Sequence, residues 1–346
     1  MQTILLYRAA AAPGGMPLAA LASVALRASG LAGAVANSHN FAGPWARRLS
    51  TIPVDSGAAS SVAANGAGAG GADAGQLHVS VEPLSGPHEG VSVISLSRPA
   101  ARNAIGRQLL RELAEALDVV RQERTTRCVL VRSTVPGVFC SGADLKERAT
   151  MTQSEASEFV SRIRRTFTEL QDLPMPTVAV VEGLALGGGA ELALACDMRI
   201  MGQGAAMAFP EAQLGIIPGA GGTQAGHAGR SSGRLPRIVG ASRAKELIFT
   251  GRRVPGTEAG ELKLADYVVP DDQVYERALS LAEQIVRSAP LSLRQAKAAV
   301  NKGLEVDLHS GLAVEEALYA QLLPSRDRLE GLKAFAEKRK PVYTGE

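Results

Sequence analysis

Apolar residues recur along this chain with two different periods. Val79 and Val81, then Val91, Val93 and Leu96, alternate with other residues on either side of Gly86-Pro87, a pattern that predicts a β-hairpin. Leu109, Leu110, Leu113, Ala116 and Leu117 then fall at helical spacing. Strands are predicted over 128–132 and 177–181, with a helix over 154–173 between them. Beyond Gly240 the pattern is helical over 243–250, 273–287, 291–302, 308–322 and 326–338. Strands with interleaved helices, followed by helices alone, predict an α/β body (78–270) carrying a C-terminal helical region (271–346).

The first part of the chain does not follow either period. Residues 1–54 are rich in Ala, Leu and Ser and contain Arg8, Arg27, Arg47 and Arg48, with no acidic residue before Asp55. An acid-free, arginine-bearing leader of this kind predicts a transit peptide, for import into the mitochondrial matrix or, as the alternative, a plastid. Residues 55–77 are a Gly/Ala/Ser linker without enough apolar surface to order itself. Its glycine run, 66–71, lacks the preceding strand and following helix that a nucleotide-binding loop requires.

Charge and cysteine content narrow the function classes. Taking the four leader arginines from a net charge of +3 leaves −1 for the remainder, which argues against a general nucleic-acid binder. Cys128, Cys140 and Cys196 are too widely spaced for a disulfide framework or a Cys-x-x-Cys metal site, and read as reduced core residues. The five histidines are scattered, so no metal is implied. No window approaches the roughly 18 uninterrupted apolar residues of a membrane-spanning helix.

Three glycine-marked segments carry the candidate chemistry: 137–146, 183–191 and 209–224. Glycine lets backbone approach a ligand closely because no Cβ intervenes. In the second segment Gly187-Gly188-Gly189 leads into a short helical pattern, and the unsatisfied N–H groups at a helix start can stabilise a developing oxyanion. Glu191 follows inside that apolar helix, and Glu211 follows Pro210 with Leu214, Ile216 and Ile217 just beyond. Two carboxylates among apolar residues have raised pKa values, and close together they are pushed apart into an acid and a base. From spacing alone, the favoured reading is a surface glutamate at a helix start and a turn glutamate after proline.

Taken together, these segments resemble the enoyl-CoA hydratase/isomerase (crotonase) family. The resemblance rests on Arg98-Pro99, Asn103-Ala104, the stretch 141–147, Gly187-Gly188-Gly189-Ala190-Glu191, Pro210-Glu211 and Gly219-Ala220-Gly221-Gly222-Thr223-Gln224, in the family's order and spacing. It runs from about Val91 to the end, roughly three quarters of the chain. The resemblance implies a crotonase-like spiral of ββα turns whose C-terminal helices build a homotrimer or homohexamer. It implies an oxyanion hole from the N–H groups of Ala143 and Gly188, and an acyl-CoA thioester held by Ala143, Asp144, Leu145, Lys146 and Gly188. Phe335 and Lys338 would reach a neighbouring subunit's coenzyme A. Coenzyme A is part of the substrate, and no separate cofactor is implied. Glu191 and Glu211 match the two hydratase glutamates, which favours hydration of a trans-2-enoyl-CoA to a 3-hydroxyacyl-CoA over isomerisation, with Glu191 mainly activating water and Glu211 protonating C2.

The chain departs from the family's pattern at residues 225–233, inserted before Arg234-Leu235-Pro236-Arg237. Loop closure grows only logarithmically with length, whereas glycine within a helix costs about 1 kcal/mol relative to alanine. Two rival functions stand beside simple hydration. Some relatives hydrate methylglutaconyl-CoA, and one binds RNA through a lysine comb. Here the helix after Asn103-Ala104 offers Arg102, Arg107 and Arg111, followed by Glu112 and Glu115, the pattern of a solvated face.

Overall fold

The computed structural model describes residues 76–223 and 233–346. The leader, nearly all of the linker and residues 225–232 of the insertion lie outside the described residues. The predicted hairpin forms from β1 (Val79–Pro83) and β2 (Val91–Leu96), paired antiparallel with Val79 opposite Leu96. Helix α1 (Arg107–Gln122) follows, burying Leu109, Leu110, Leu113, Ala116, Leu117 and Val120 along one stripe. Glu112 is buried on the same stripe because its carboxylate accepts the N–H groups of His78 (2.6 Å) and Val79 (3.0 Å), tying the helix to the edge strand.

The chain then winds as a spiral. Strands β3 (Cys128–Ser133) and β4 (Val138–Cys140) lead to helices α2 (Leu145–Arg148) and α3 (Gln153–Gln171). Strands β5 (Thr177–Val181) and β6 (Leu184–Leu186) lead to α4 (Gly188–Ala195), and β7 (Met198–Gly202) and β8 (Ala206–Ala208) follow. Each turn gives its first strand to one sheet and its second to another. Beyond it lie α5 (Arg234–Val239), α6 (Ala241–Thr250), β9 (Val254–Pro255), α7 (Gly256–Glu261) and β10 (Tyr267–Val269). The larger sheet has the order β1-β2-β3-β5-β7-β10 and the smaller β4-β6-β8-β9. Successive turns pair in parallel within each sheet because a helix returns the chain to the same end.

Burial on both faces explains the composition of the central strands. Thr177–Val181 is buried at every position, as a parallel strand covered on both sides must be. One face meets α1, α3, α4 and the smaller sheet through Leu110, Leu113, Phe139 and Phe167. The other is covered by α8 (Val274–Val286), whose Val274, Ala278, Leu281 and Ala282 pack on Val91, Val93, Leu130, Val178 and Ile200. All three cysteines are buried and free, and burial pushes each thiol up to about 12.

The remaining helices, α9 (Pro290–Gly303), α10 (Leu308–Ala320) and α11 (Arg326–Ala336), are built differently. Neither α9 nor α10 contains a buried residue. Val300, Leu304, Leu308, Leu312, Tyr319 and Phe335 are exposed. Polar anchors hold this region to the body: Lys297 Nζ lies 2.7 Å from Asp197 and 3.0 Å from the Met175 carbonyl, and Arg237 pairs with Glu305 at 2.7 Å. Among the described residues no helix is long and apolar enough to cross a membrane.

Candidate active site

The loop carrying Ala143 is fixed by the preceding turn. Arg102 and Asn103 both adopt left-handed backbone conformations, with φ of 50° and 55°. The buried Asn103 side chain offsets that cost by accepting the Arg98 N–H (2.7 Å) and donating to Ser133 Oγ (2.7 Å) and the Phe139 carbonyl (3.0 Å). Ile105 then donates to Gly142 O and accepts from Asp144 N–H. Because these bonds flank Ala143, the N–H of Ala143 points away from Ile105. Asp144 caps α2 by accepting the N–H groups of Lys146 and Glu147, and it pairs with Arg98 at 2.7 Å. Those bonds and the Arg98 guanidinium hold its carboxyl below the usual carboxylate value despite partial burial.

The glycine triplet meets this loop from the other side. Gly187 caps α4 with φ of 51°, a conformation that disfavours any side chain, and Gly188 is the first helical residue. A Cβ on Gly188 would stand 3.7 Å from the backbone nitrogen of Ala143, and one on Gly142 would stand 3.5 Å from that of Gly188, so the two backbone segments lie against one another. Both residues line a cavity of about 710 Å³.

Glu191 and Glu211 line the same cavity, although only 3% and 8% exposed. Helix α4 is buried on nearly every side, which makes Glu191 its only charge. Its Oε1 accepts the N–H groups of Ala220 (2.9 Å) and Gly222 (2.7 Å). Burial raises its pKa, partly opposed by those bonds and by Arg234 and Arg164. Glu211 sits in a short 3₁₀ turn, Pro210–Leu214, closed by Gly215 in the left-handed region. Its Oε2 is buried with no hydrogen-bond partner among the described residues. Burial and the neighbouring Glu191 push its pKa up to about 7. Gly187 has a second reason to be glycine, because a Cβ there would approach Glu211 Oε1 to 2.8 Å.

Of the residues singled out in the sequence, the structure thus brings together Ala143, Leu145, Gly188, Glu191 and Glu211 around one cavity. Asp144 serves as cap and ion-pair partner, while Lys146 is exposed and absent from the lining. Phe335, 86% exposed, and Lys338, with φ of 54°, lie outside this chain's cavity lining. Sequence reasoning missed Arg148, Arg164 and Arg234, which also line it. Arg234 had entered only as the flank of the insertion, and with Ser231-Ser232-Gly233 before it and Arg237 three residues on, nothing local set it apart. The 219–223 segment, expected as a ligand wall, both lines the cavity and supplies the donors to Glu191.

The helix considered for RNA has its cations paired. Arg107 meets Glu155 at 3.2 Å and donates its N–H to Glu147, and Arg111 lies 3.8 Å from Glu115. Among the described residues no group of three His, Cys, Asp or Glu is arranged to hold a metal ion.

Residues 86–346 match the family model described as enoyl-CoA hydratase/isomerase. The chain is 48% identical over 267 residues to the probable enoyl-CoA hydratase 2, mitochondrial, of Arabidopsis thaliana, spanning 77% of this chain and 86% of that protein. It is 47% identical over 270 residues to the mitochondrial methylglutaconyl-CoA hydratase of Homo sapiens, spanning 77% of each. The crystal structure of an enoyl-CoA hydratase from Bacillus anthracis superposes with a TM-score of 0.73 at 44% identity, covering 78% of this chain and all of that one.

Proposed function

The chain belongs to the enoyl-CoA hydratase/isomerase family and is a hydro-lyase, and we propose that it hydrates trans-2-enoyl-CoA thioesters to 3-hydroxyacyl-CoA in acyl-CoA breakdown. The observation that carries this reading is two buried carboxylates in one cavity beside the adjoining backbone segments of Ala143 and Gly188. The N–H groups of Ala143 and Gly188 receive the thioester oxygen, which makes C3 electrophilic and stabilises negative charge as the reaction proceeds. Glu191, aimed by two N–H donors that stabilise its charged form, takes a proton from the water whose oxygen bonds to C3. Glu211, with a pKa near 7, delivers its proton to C2. The double bond becomes a single bond, and a proton passes from Glu191 back to Glu211 through solvent before the next cycle. No cofactor enters this scheme, because coenzyme A arrives with the substrate.

A second reading of the substrate has support from one wall of the cavity. Arg148 lines it, and a guanidinium there suits an acyl chain with a distal carboxylate, as in methylglutaconyl-CoA. Steady-state hydration of purified protein across straight-chain, branched and carboxylated enoyl-CoAs tests both readings. A preference for crotonyl-CoA supports the first, and a carboxylated substrate preferred in an Arg148-dependent way supports the second. Absence of hydration with every member contradicts both.

The exposed apolar residues of α9 to α11 support assembly into a trimer or hexamer in which Phe335 and Lys338 contact a neighbouring subunit's coenzyme A. The acid-free leader, together with relatives named as mitochondrial, supports import into the matrix.

A further inference from the structure

The loop that holds Glu191 is itself held through its carbonyls. The peptide unit joining Gly219 to Ala220 donates its N–H to Glu191 Oε1, and its carbonyl accepts from Arg164 Nε at 3.0 Å. The unit joining Gly221 to Gly222 also donates its N–H to Oε1, and its carbonyl accepts the backbone N–H of Arg234 at 2.7 Å. Between them, the Ala220 carbonyl accepts from Arg234 Nη1 at 2.7 Å. Three successive carbonyls are therefore gripped by two arginines. Both amides that face the carboxylate are links in hydrogen-bond chains, in which each bond polarises the next.

The arrangement is built rather than incidental. Arg234 is 6% exposed, and the rest of its guanidinium is fixed by Gln171 Oε1 (2.8 Å) and the Phe167 carbonyl (3.2 Å) on α3. Arg164 comes from the same helix. Gly221, with φ of 123°, lets the chain turn between the two donors, and a Cβ on Gly222 would stand 3.1 Å from Glu191 Oε1. Within 219–222 only Ala220 carries a side chain, so the loop's geometry depends chiefly on that methyl and on the groups that bind its carbonyls.

We propose that Arg164 and Arg234 are positioning residues that act on Glu191 through the 219–222 backbone, fixing the two N–H groups that aim its carboxylate and bond its charged form. The inference rests on the hydratase reading for its kinetic consequence only. The expected effect of weakening either arginine is a Glu191 that protonates more readily and a slower chemical step, with little change in substrate affinity.

The test uses the full chain with ¹³C-labelled glutamate carboxyls, the Glu191 signal being assigned by its loss in Glu191→Gln. Arg164→Lys, at an exposed position, and Arg234→Lys each keep the charge while removing the guanidinium that grips the loop carbonyls. In each folded variant Glu191 should titrate at higher pH than in the unaltered protein. With crotonyl-CoA, kcat should fall on the order of tenfold while KM stays within about twofold. Should Arg234→Lys fail to fold, Arg164→Lys decides. An unmoved Glu191 titration in the folded variants overturns the inference, even if kcat falls, because the arginines would then only pack the loop. If the unaltered protein hydrates no enoyl-CoA, the hydratase reading fails alone, and the titration still decides the role of the arginines.

Discussion

Glu191 and Glu211 share a cavity but are held by opposite means. Glu191 is the more buried of the two, yet it has two N–H donors on one oxygen and two arginines within electrostatic range. Glu211 is slightly more open but has a buried oxygen without a partner, and Glu191 is the charge that acts on it. Burial alone would raise both pKa values. What separates them is backbone donation: two N–H groups of the 219–222 loop support the Glu191 anion, whereas Glu211 has only its own backbone N–H, which favours Glu211 as the protonated member of the pair.

The largest expected effect comes from removing either carboxylate. Glu191→Gln and Glu211→Gln should each lower kcat for crotonyl-CoA hydration by on the order of 10² or more with KM little changed, as measured by steady-state kinetics on folded protein. The double variant should lose far less than the product, since groups acting as a unit are not additive.

Stability should respond to loss of Glu211 with the opposite sign to activity. Glu211 has a folded pKa of about 7, above its ordinary value of 4.5, so its contribution to stability is fully present below 4.5 and is lost as pH rises through 7. Glutamine does not titrate. Denaturant melts should therefore show Glu211→Gln gaining on the unaltered protein between pH 4.5 and 8, by roughly 3 kcal/mol at most. A gain of zero would mean that Glu211 is not desolvated as described.

Gly187→Ala probes the contact between the glycine triplet and Glu211. Its φ of 51° and the 2.8 Å approach of a Cβ to Glu211 Oε1 should cost about 1–3 kcal/mol in thermal or chemical melts and roughly tenfold in kcat. The smallest effect serves as a control outside the pair. Phe335→Ala should raise KM a few-fold, on the order of 1 kcal/mol, without changing kcat, because it touches only the proposed coenzyme A contact of a neighbouring subunit.

Much of this frame was legible in the sequence for a specific reason. Helix α1 buries the leucines whose spacing predicted it, and Thr177–Val181 is an uninterrupted run because both its faces are covered. The smaller sheet was not legible: Val138–Cys140, Leu184–Leu186 and Ala206–Ala208 are three residues each, too short for a period to register. The short helix expected to follow the glycines in fact begins within them, at Gly188, which places the first unsatisfied N–H in the cavity. The two glutamates could be picked out by local context, but the difference between them could not. That difference depends on Ala220 and Gly222, about thirty residues from Glu191, and on Arg164 and Arg234 behind them. Likewise Asp144 entered as a ligand contact through the resemblance alone, and the pairing of its carboxylate with Arg98, 46 residues earlier in the chain, left no local signal.

The central claim, one carboxylate bonded by two loop N–H groups beside a second with a buried oxygen that has no partner, is tested most directly by the pH dependence of kcat/KM for crotonyl-CoA hydration, which reports the free enzyme. The account predicts a bell whose alkaline limb falls near pH 7 as Glu211 loses its proton, with that limb absent from the residual activity of Glu211→Gln. A rate that stays level from pH 6 to about 9, or an alkaline limb that survives in Glu211→Gln, would contradict it.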